Sequence, residues 1–199
     1  MISFKFRTNE PNGLILLTTG NKPGKVTTAA ATAPSPHLGR GHRIDSQIVK
    51  FPFQSDLFAV ELLNGHIYIH VDLGSGAAKV RASRRRVDDG SWHELILRRT
   101  GRECKVSIDG QWNDFRTPGD STQFELDAPI YLGGTGVTYG SVNWPPAIWT
   151  ATLRQGYIGC LRDLVLSGKP VDIAAFARQQ DSGNTFDFGT GFVEWEFFV

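Results

Sequence analysis

Apolar and polar residues alternate one by one through short stretches of this chain, and Gly, Asn and Asp turns separate the stretches. A period of two sends successive side chains to opposite faces, so such runs fold as half-buried strands rather than helices. Ile2, Phe4 and Phe6 set against Ser3, Lys5 and Arg7 are the clearest instance. The pattern predicts strands at residues 2–7, 13–19, 57–63, 66–73, 78–82, 92–99, 105–108, 123–126, 130–132 and 156–166. Asn64-Gly65 is the strongest hairpin signal, because both residues accept the positive φ a tight hairpin turn demands. Further turns fall at residues 9–13, 88–90 and 109–110, and one short helix fits residues 171–178. Short strands at this spacing predict an all-β protein: an antiparallel β-sandwich of jelly-roll type.

Composition narrows the function classes. A chain of 199 residues with 40% hydrophobic and 21% charged residues can bury one domain-sized core. Its 21 basic and 20 acidic residues leave none of the basic excess expected of a nucleic-acid binder. No apolar run approaches the roughly 18 residues that cross a bilayer. Met1 leads straight into the alternating segment rather than a leader, which fits a cytosolic chain or an excerpt of a longer secreted or anchored one. The cysteines, Cys104 and Cys160, are too few for a disulfide framework. Two segments break the rhythm: residues 21–54, rich in Thr, Ala, Pro and Gly, and residues 135–150, where Pro145-Pro146 lies between Trp144 and Trp149.

Several segments recur in a fixed order. They include residues 2–14, Leu57-Phe58-Ala59-Val60-Glu61-Leu62-Leu63-Asn64-Gly65-His66 and Val71-Asp72-Leu73-Gly74-Ser75-Gly76. Val87-Asp88-Asp89-Gly90-Ser91-Trp92-His93, Ile130-Tyr131-Leu132-Gly133-Gly134 and Gly156-Tyr157-Ile158-Gly159-Cys160-Leu161-Arg162-Asp163-Leu164 follow. Together they resemble the laminin-G-like (laminin–neurexin–sex-hormone-binding-globulin) domains, a concanavalin-like sandwich. The detail is most similar to the second such domain of an alpha-neurexin. The resemblance covers about residues 2–180. It implies a domain over residues 1–182, with an atypical tail at residues 183–199 and one strand of the family missing before Ile2. It also implies that Cys160 lacks its usual partner, leaving either two unpaired thiols or a bridge to Cys104.

The same resemblance implies one Ca²⁺ where loops meet at the rim of the sandwich. It assigns the Asp56 side chain and the Leu73 carbonyl as ligands. A third comes from Ser141, or alternatively from Gln123 with Glu125. Oxygen donors suit a hard cation, and so few charged ligands predict weak binding, on the order of 10⁻⁴ to 10⁻³ M. Residues 21–54 lie where alpha-neurexins accept alternatively spliced inserts, beside that rim. The implied setting is the extracellular face of a membrane-anchored synaptic adhesion protein. The implied partners are dystroglycan-type matrix glycans, neurexophilin-like ligands and neuroligins.

Other clusters carry less chemistry. Arg81, Arg84, Arg85 and Arg86, with Lys79, offer bidentate donors for an acidic or sulfated glycan, or simply form a solvated loop. His66 and His70 share a strand face without a third zinc ligand at a recognisable spacing. Asp88-Asp89 belong to a turn, and Ser91, His93 and Asp89 are sequence neighbours without triad geometry. Glu61 stands alone on its strand, so paired carboxylates of a jelly-roll glycosidase are not evident. The reading is a non-enzymatic recognition module, with a glycan-binding or glycan-active lectin-fold protein as the alternative.

Overall fold

A computed structural model describes residues 1–20, 56–124, 130–134 and 155–181. Its strands are β1 (Ile2–Arg7), β2 (Gly13–Thr19), β3 (Leu57–Leu63), β4 (His66–Asp72), β5 (Ala77–Arg81), β6 (His93–Thr100), β7 (Glu103–Ile108), β8 (Gln111–Arg116), β9 (Tyr131–Leu132), β10 (Cys160–Leu166) and β11 (Lys169–Pro170), followed by helix α1 (Ile173–Asp181). One six-stranded sheet runs β11-β10-β1-β6-β7-β8, and a five-stranded sheet runs β5-β4-β3-β2-β9. Every ladder is antiparallel. The expected β-sandwich is therefore the architecture found.

Alternation builds the core. Phe4 and Phe6 of β1, Leu95 and Leu97 of β6, and Val106 and Ile108 of β7 point inward from the six-stranded sheet. They meet Phe58, Val60 and Leu62 of β3 and Ile67, Ile69 and Val71 of β4. Burying such side chains between two sheets is the main driving force of the fold. Tyr157 is also fully buried, and its hydroxyl donates to the Arg7 carbonyl at 2.8 Å. Burial outweighs the smaller opposing effect of that hydrogen bond and raises its pKa above the ordinary phenol range. Gly159 passes so close to the Arg7 carbonyl and the Tyr157 ring that a Cβ would collide with both.

Where the structure departs from the pattern, the reasons are local. Strand β8 gives little signal because Phe115 is the one apolar side chain it turns inward; its neighbour Asn113 donates to the Ala82 carbonyl at 2.7 Å. Gln123 and Phe124 are not in a strand; Phe124 instead sets its ring edge-on to Phe58 with centroids 6.4 Å apart. Of the expected strand at residues 156–166, only Cys160–Leu166 forms one, with Gly156 making a single parallel bridge to Leu14. Ile158, inside that expected strand, is 43% exposed. The helix starts at Ile173 because the Asp172 carboxylate accepts the Ala175 N–H at 2.9 Å, a cap that ends the preceding extended chain.

Cys104 and Cys160 are both buried free thiols. They sit on β7 and β10, with β1 and β6 between them. Three inter-strand steps of about 4.8 Å separate them by roughly 14 Å, whereas a disulfide needs Cα atoms closer than about 7 Å. A Cys104–Cys160 bridge is thereby ruled out. Residues 21–54, 135–150 and 183–199 lie outside the described residues.

Replacing Phe6 by Ala removes a fully buried ring from the seam between the sheets. The expected cost is about 3–5 kcal/mol of unfolding free energy, read from urea denaturation.

Candidate functional site

Strands β3 and β4 pair without interruption from Leu57↔Asp72 to Leu63↔His66. Asp56 directly precedes β3, so that register sets it opposite Leu73 at the open end of the hairpin. The Asp56 carbonyl accepts the Gly20 N–H at 2.7 Å, which also ties the end of β2 to this point. Asp72, nearly buried, turns its Oδ1 onto the loop that follows and accepts the N–H groups of Gly74 at 2.9 Å and Gly76 at 3.1 Å. The carboxylate of Asp72 thus shapes the loop carrying the Leu73 carbonyl, a role the sequence did not signal.

Residues 121–124 approach the same rim. The Ser121 N–H donates to Ser75 Oγ at 3.2 Å, and Phe124 packs on Phe58 two residues beyond Asp56. Gln123, exposed, lies between those two anchors. The structure thus brings Asp56, Leu73 and the Gln123 segment to one end of the sandwich. Ser141 and Glu125 lie outside the described residues. No group of three His, Cys, Asp or Glu side chains that could hold a metal occurs among the described residues. The rim presents the carboxylates of Asp56 and Asp72, the latter accepting the Gly74 and Gly76 N–H groups, beside main-chain oxygens, and oxygen donors suit a hard cation.

The arginines occupy the other end of the hairpin. Asn64 and Gly65 turn there with φ values of 51° and 75°. The Gly65 N–H donates to the Pro11 carbonyl at 2.8 Å, its carbonyl accepts the Val87 N–H at 2.9 Å, and a Cβ on Gly65 would strike Asp88. Arg81 is spent on structure: its Nε donates to the Ser83 carbonyl at 3.1 Å and its Nη2 to the Arg84 carbonyl at 3.2 Å. Arg86 pairs with Asp88. Arg84 and Arg85 are exposed and make no ion pair among the described residues.

Beside them His93 clamps two turns together. Its Nδ1 lies 2.7 Å from Asp109 Oδ2 and its Nε2 lies 3.1 Å from Asp89 Oδ1. Carboxylates accept only, so two such neighbours favour hydrogens on both ring nitrogens, which is the imidazolium form. Burial opposes that charge, but the two aspartates outweigh it and raise the pKa above the ordinary histidine value. Asp89 is held below its usual range by the Ser91 N–H first and by His93 second.

Glu61, alone by sequence, is fully buried in a charged group on the outward side of the five-stranded sheet. Lys79 Nζ donates to Oε1 at 2.7 Å, and His70 Nε2 lies 3.2 Å from Oε2. Burial pushes Glu61 up, yet its hydrogen bonds and the nearby positive charge bring it net below the usual range. His66 and His70 consequently serve different partners, since His66 Nδ1 lies 3.3 Å from Ser83 Oγ. Sequence missed the Glu61 group because its members come from three strands.

A family model for the laminin G domain matches residues 44–169. The chain belongs to the laminin G domain family. It is 62% identical over 183 residues to Neurexin 1 of Drosophila melanogaster and 39% identical over 181 residues to human Neurexin-2. Those matches cover 92% and 90% of this laminin G domain's chain but only 8% and 9% of the two relatives. The fold is shared with domains LG4-5 of the mouse laminin alpha1 chain, at a TM-score of 0.59 and 20% identity over 86% of this chain and 36% of that one. The LG1-3 region of the laminin alpha2 chain gives 0.57 and 24% over 87% and 28%.

The His93 clamp has a definite pH signature. A pKa raised on folding stabilises fully below the unfolded value, about 6.5, and that stabilisation is lost as pH rises through the folded value. The melting temperature of the parent should therefore fall relative to that of His93→Gln as pH is raised from 6 toward 9, measured by circular dichroism. A constant difference between the two proteins would refute the clamp.

Proposed function

We propose that this laminin G domain is an extracellular recognition module of a neurexin-like, membrane-anchored adhesion protein, and that calcium at the Asp56 rim tunes its binding of protein or glycan ligands. What supports this reading is the β3–β4 register, whose continuation past Leu57↔Asp72 makes Asp56 and Leu73 neighbours across the open end of the hairpin. Asp56 would hold the ion with its carboxylate, and Leu73 with its carbonyl. Ser141, or Gln123 with Glu125, would complete the set with water. Calcium would supply a fixed positive charge to which an acidic group of a partner could add oxygen ligands. Similarity to Neurexin 1 and Neurexin-2 supports a place at the cell surface. The second domain of an alpha-neurexin is the proposed counterpart, at the synapse. Dystroglycan-type glycans, neurexophilin-like proteins and neuroligins are the proposed partners. The arginine cluster would add contacts for acidic glycans.

The burial of Glu61 supports a non-enzymatic role. Glu61 is fully buried and hydrogen-bonded to Lys79, so no substrate oxygen can reach it. Glycosidases of this architecture need two reachable carboxyl groups.

Calorimetric titration of the parent with Ca²⁺ should give a dissociation constant of about 10⁻⁴ to 10⁻³ M. Asp56→Ala should abolish that heat, and equal binding by both proteins would sink the assignment. Residues 21–55 depart from Gly20 and return at Asp56, which are joined by a hydrogen bond at the rim. We infer that this segment gates the rim. Deleting residues 25–50 should change the affinity for a rim-bound ligand, whereas an unaltered affinity would remove the gating role.

A further inference from the structure

Residues 118–121 follow β8 of the six-stranded sheet, and residues 73–76 follow β4 of the five-stranded sheet, yet the two segments interlock at the Asp56 rim. We propose that Asp72, Ser75 and Gly119 form a brace that fixes the Leu73 carbonyl in place and so sets the calcium affinity of the rim, with none of the three touching the ion. The proposal rests on the reading of that rim as a calcium site and names the positioning residues that tune it.

One support is a carboxylate. Asp72, nearly buried, uses a single oxygen, Oδ1, to accept the N–H groups of Gly74 at 2.9 Å and Gly76 at 3.1 Å. Positive φ at both glycines, 77° and 140°, lets the chain curl back around that oxygen. Leu73 lies between the carboxylate and its first donor, and its own side chain is sealed in the main core. Its carbonyl is thus held from both sides. The other support comes from the opposite sheet. The Ser121 N–H donates to Ser75 Oγ at 3.2 Å. Gly119 passes so close that a Cβ there would strike the hydroxyl and the carbonyl of Ser75, and a Cβ on Gly76 would press on the Pro118 ring. Gln123, two residues beyond Ser121, is thereby tied to the same body as Leu73.

Such bracing counts most where the ion brings little energy of its own. A site with few charged ligands binds weakly, and any freedom the loop must give up on binding weakens it further. Leu73 would ligate through its backbone, so no change of its side chain alters the donor atom. What the sequence controls is where that carbonyl sits, and Asp72, Ser75 and Gly119 are the residues through which it does so. Groups outside a coordination sphere typically change metal affinity about 10–100-fold when they are removed.

The test is a Ca²⁺ titration of the isotope-labelled 199-residue chain, followed by two-dimensional NMR, which reads millimolar constants. Amide exchange at Gly74, Gly76 and Ser121 is measured on the same samples in EDTA. Asp72→Ala should weaken Ca²⁺ about tenfold or more and speed exchange at Gly74 and Gly76. Asp72→Asn keeps an oxygen for both N–H groups and should stay within about threefold of the parent. Were Asp72 a ligand through its second oxygen, the amide nitrogen in that place could not bind a cation, and Asp72→Asn would lose as much as Asp72→Ala. Gly119→Ala, distant in sequence from Asp56 and Leu73, should also weaken Ca²⁺ about tenfold. Ser75→Ala, which frees the Ser121 N–H, should cost about twofold to fivefold. Lys105→Ala, on the outward face of the six-stranded sheet, should stay within about twofold. Should Asp72→Ala fail to fold, Gly119→Ala and Ser75→Ala still decide. Parent-like affinity in Asp72→Ala or in Gly119→Ala overturns the brace and leaves the calcium rim intact. Equal losses in Asp72→Asn and Asp72→Ala overturn it as well, by making Asp72 a ligand. A parent that takes up no Ca²⁺ overturns the rim itself, and the brace with it.

Discussion

The cross-strand register of β3 and β4 is the constraint on which the rest of this domain depends. It begins at Leu57↔Asp72 and closes at Leu63↔His66 through Asn64-Gly65. A slip of one residue would turn Phe58, Val60 and Leu62 out of the core and bring Ala59 and Glu61 in. It would also take Asp56 away from Leu73, and the Gly65 turn away from Pro11 and Val87. The hydrophobic seam and both candidate binding ends are therefore consequences of one ladder.

Charge burial gives that ladder its specificity rather than its stability. Glu61 on β3, His70 on β4 and Lys79 on β5 meet on the side of the sheet away from the main core. An unpaired carboxylate there would be costly, so the three strands are held in the register that pairs it. The His93 clamp plays a comparable part in the other sheet, fastening the turn at Asp89 to the hairpin turn at Asp109. Both groups sit on the frame that presents the loops, which is why a recognition domain can vary its rims without disturbing its sandwich.

The two ends of the β3–β4 hairpin differ in chemistry. One offers a carboxylate beside main-chain oxygens and is closed by Asp72 and the 73–76 loop. The other offers guanidinium groups and carboxylates around a cleft whose floor is aliphatic. The two ends thus present surfaces of different chemistry, held apart by the length of one hairpin.

By itself the sequence determined what depends on neighbours along the chain. Alternation in residues 2–7 and short apolar runs in residues 13–19 and 57–63 set those strands, and Asn64-Gly65 set the hairpin, because strand faces and turn dihedrals are local properties. The order of its motifs identified the laminin G family and pointed to Asp56 and Leu73. It missed strand β8, whose edge position asks for little inward apolar surface, and it set Ile158 and Gln123 in strands that do not form there. Tertiary structure alone decided what depends on meeting across sheets. The spacing of β7 and β10 separates Cys104 from Cys160 by two strands. Only the assembled fold divides the arginines into engaged and available, gives His93 two carboxylates, and joins Glu61 to His70 and Lys79. These partners are brought together by strand pairing and loop closure, and no local pattern records which strands will lie side by side.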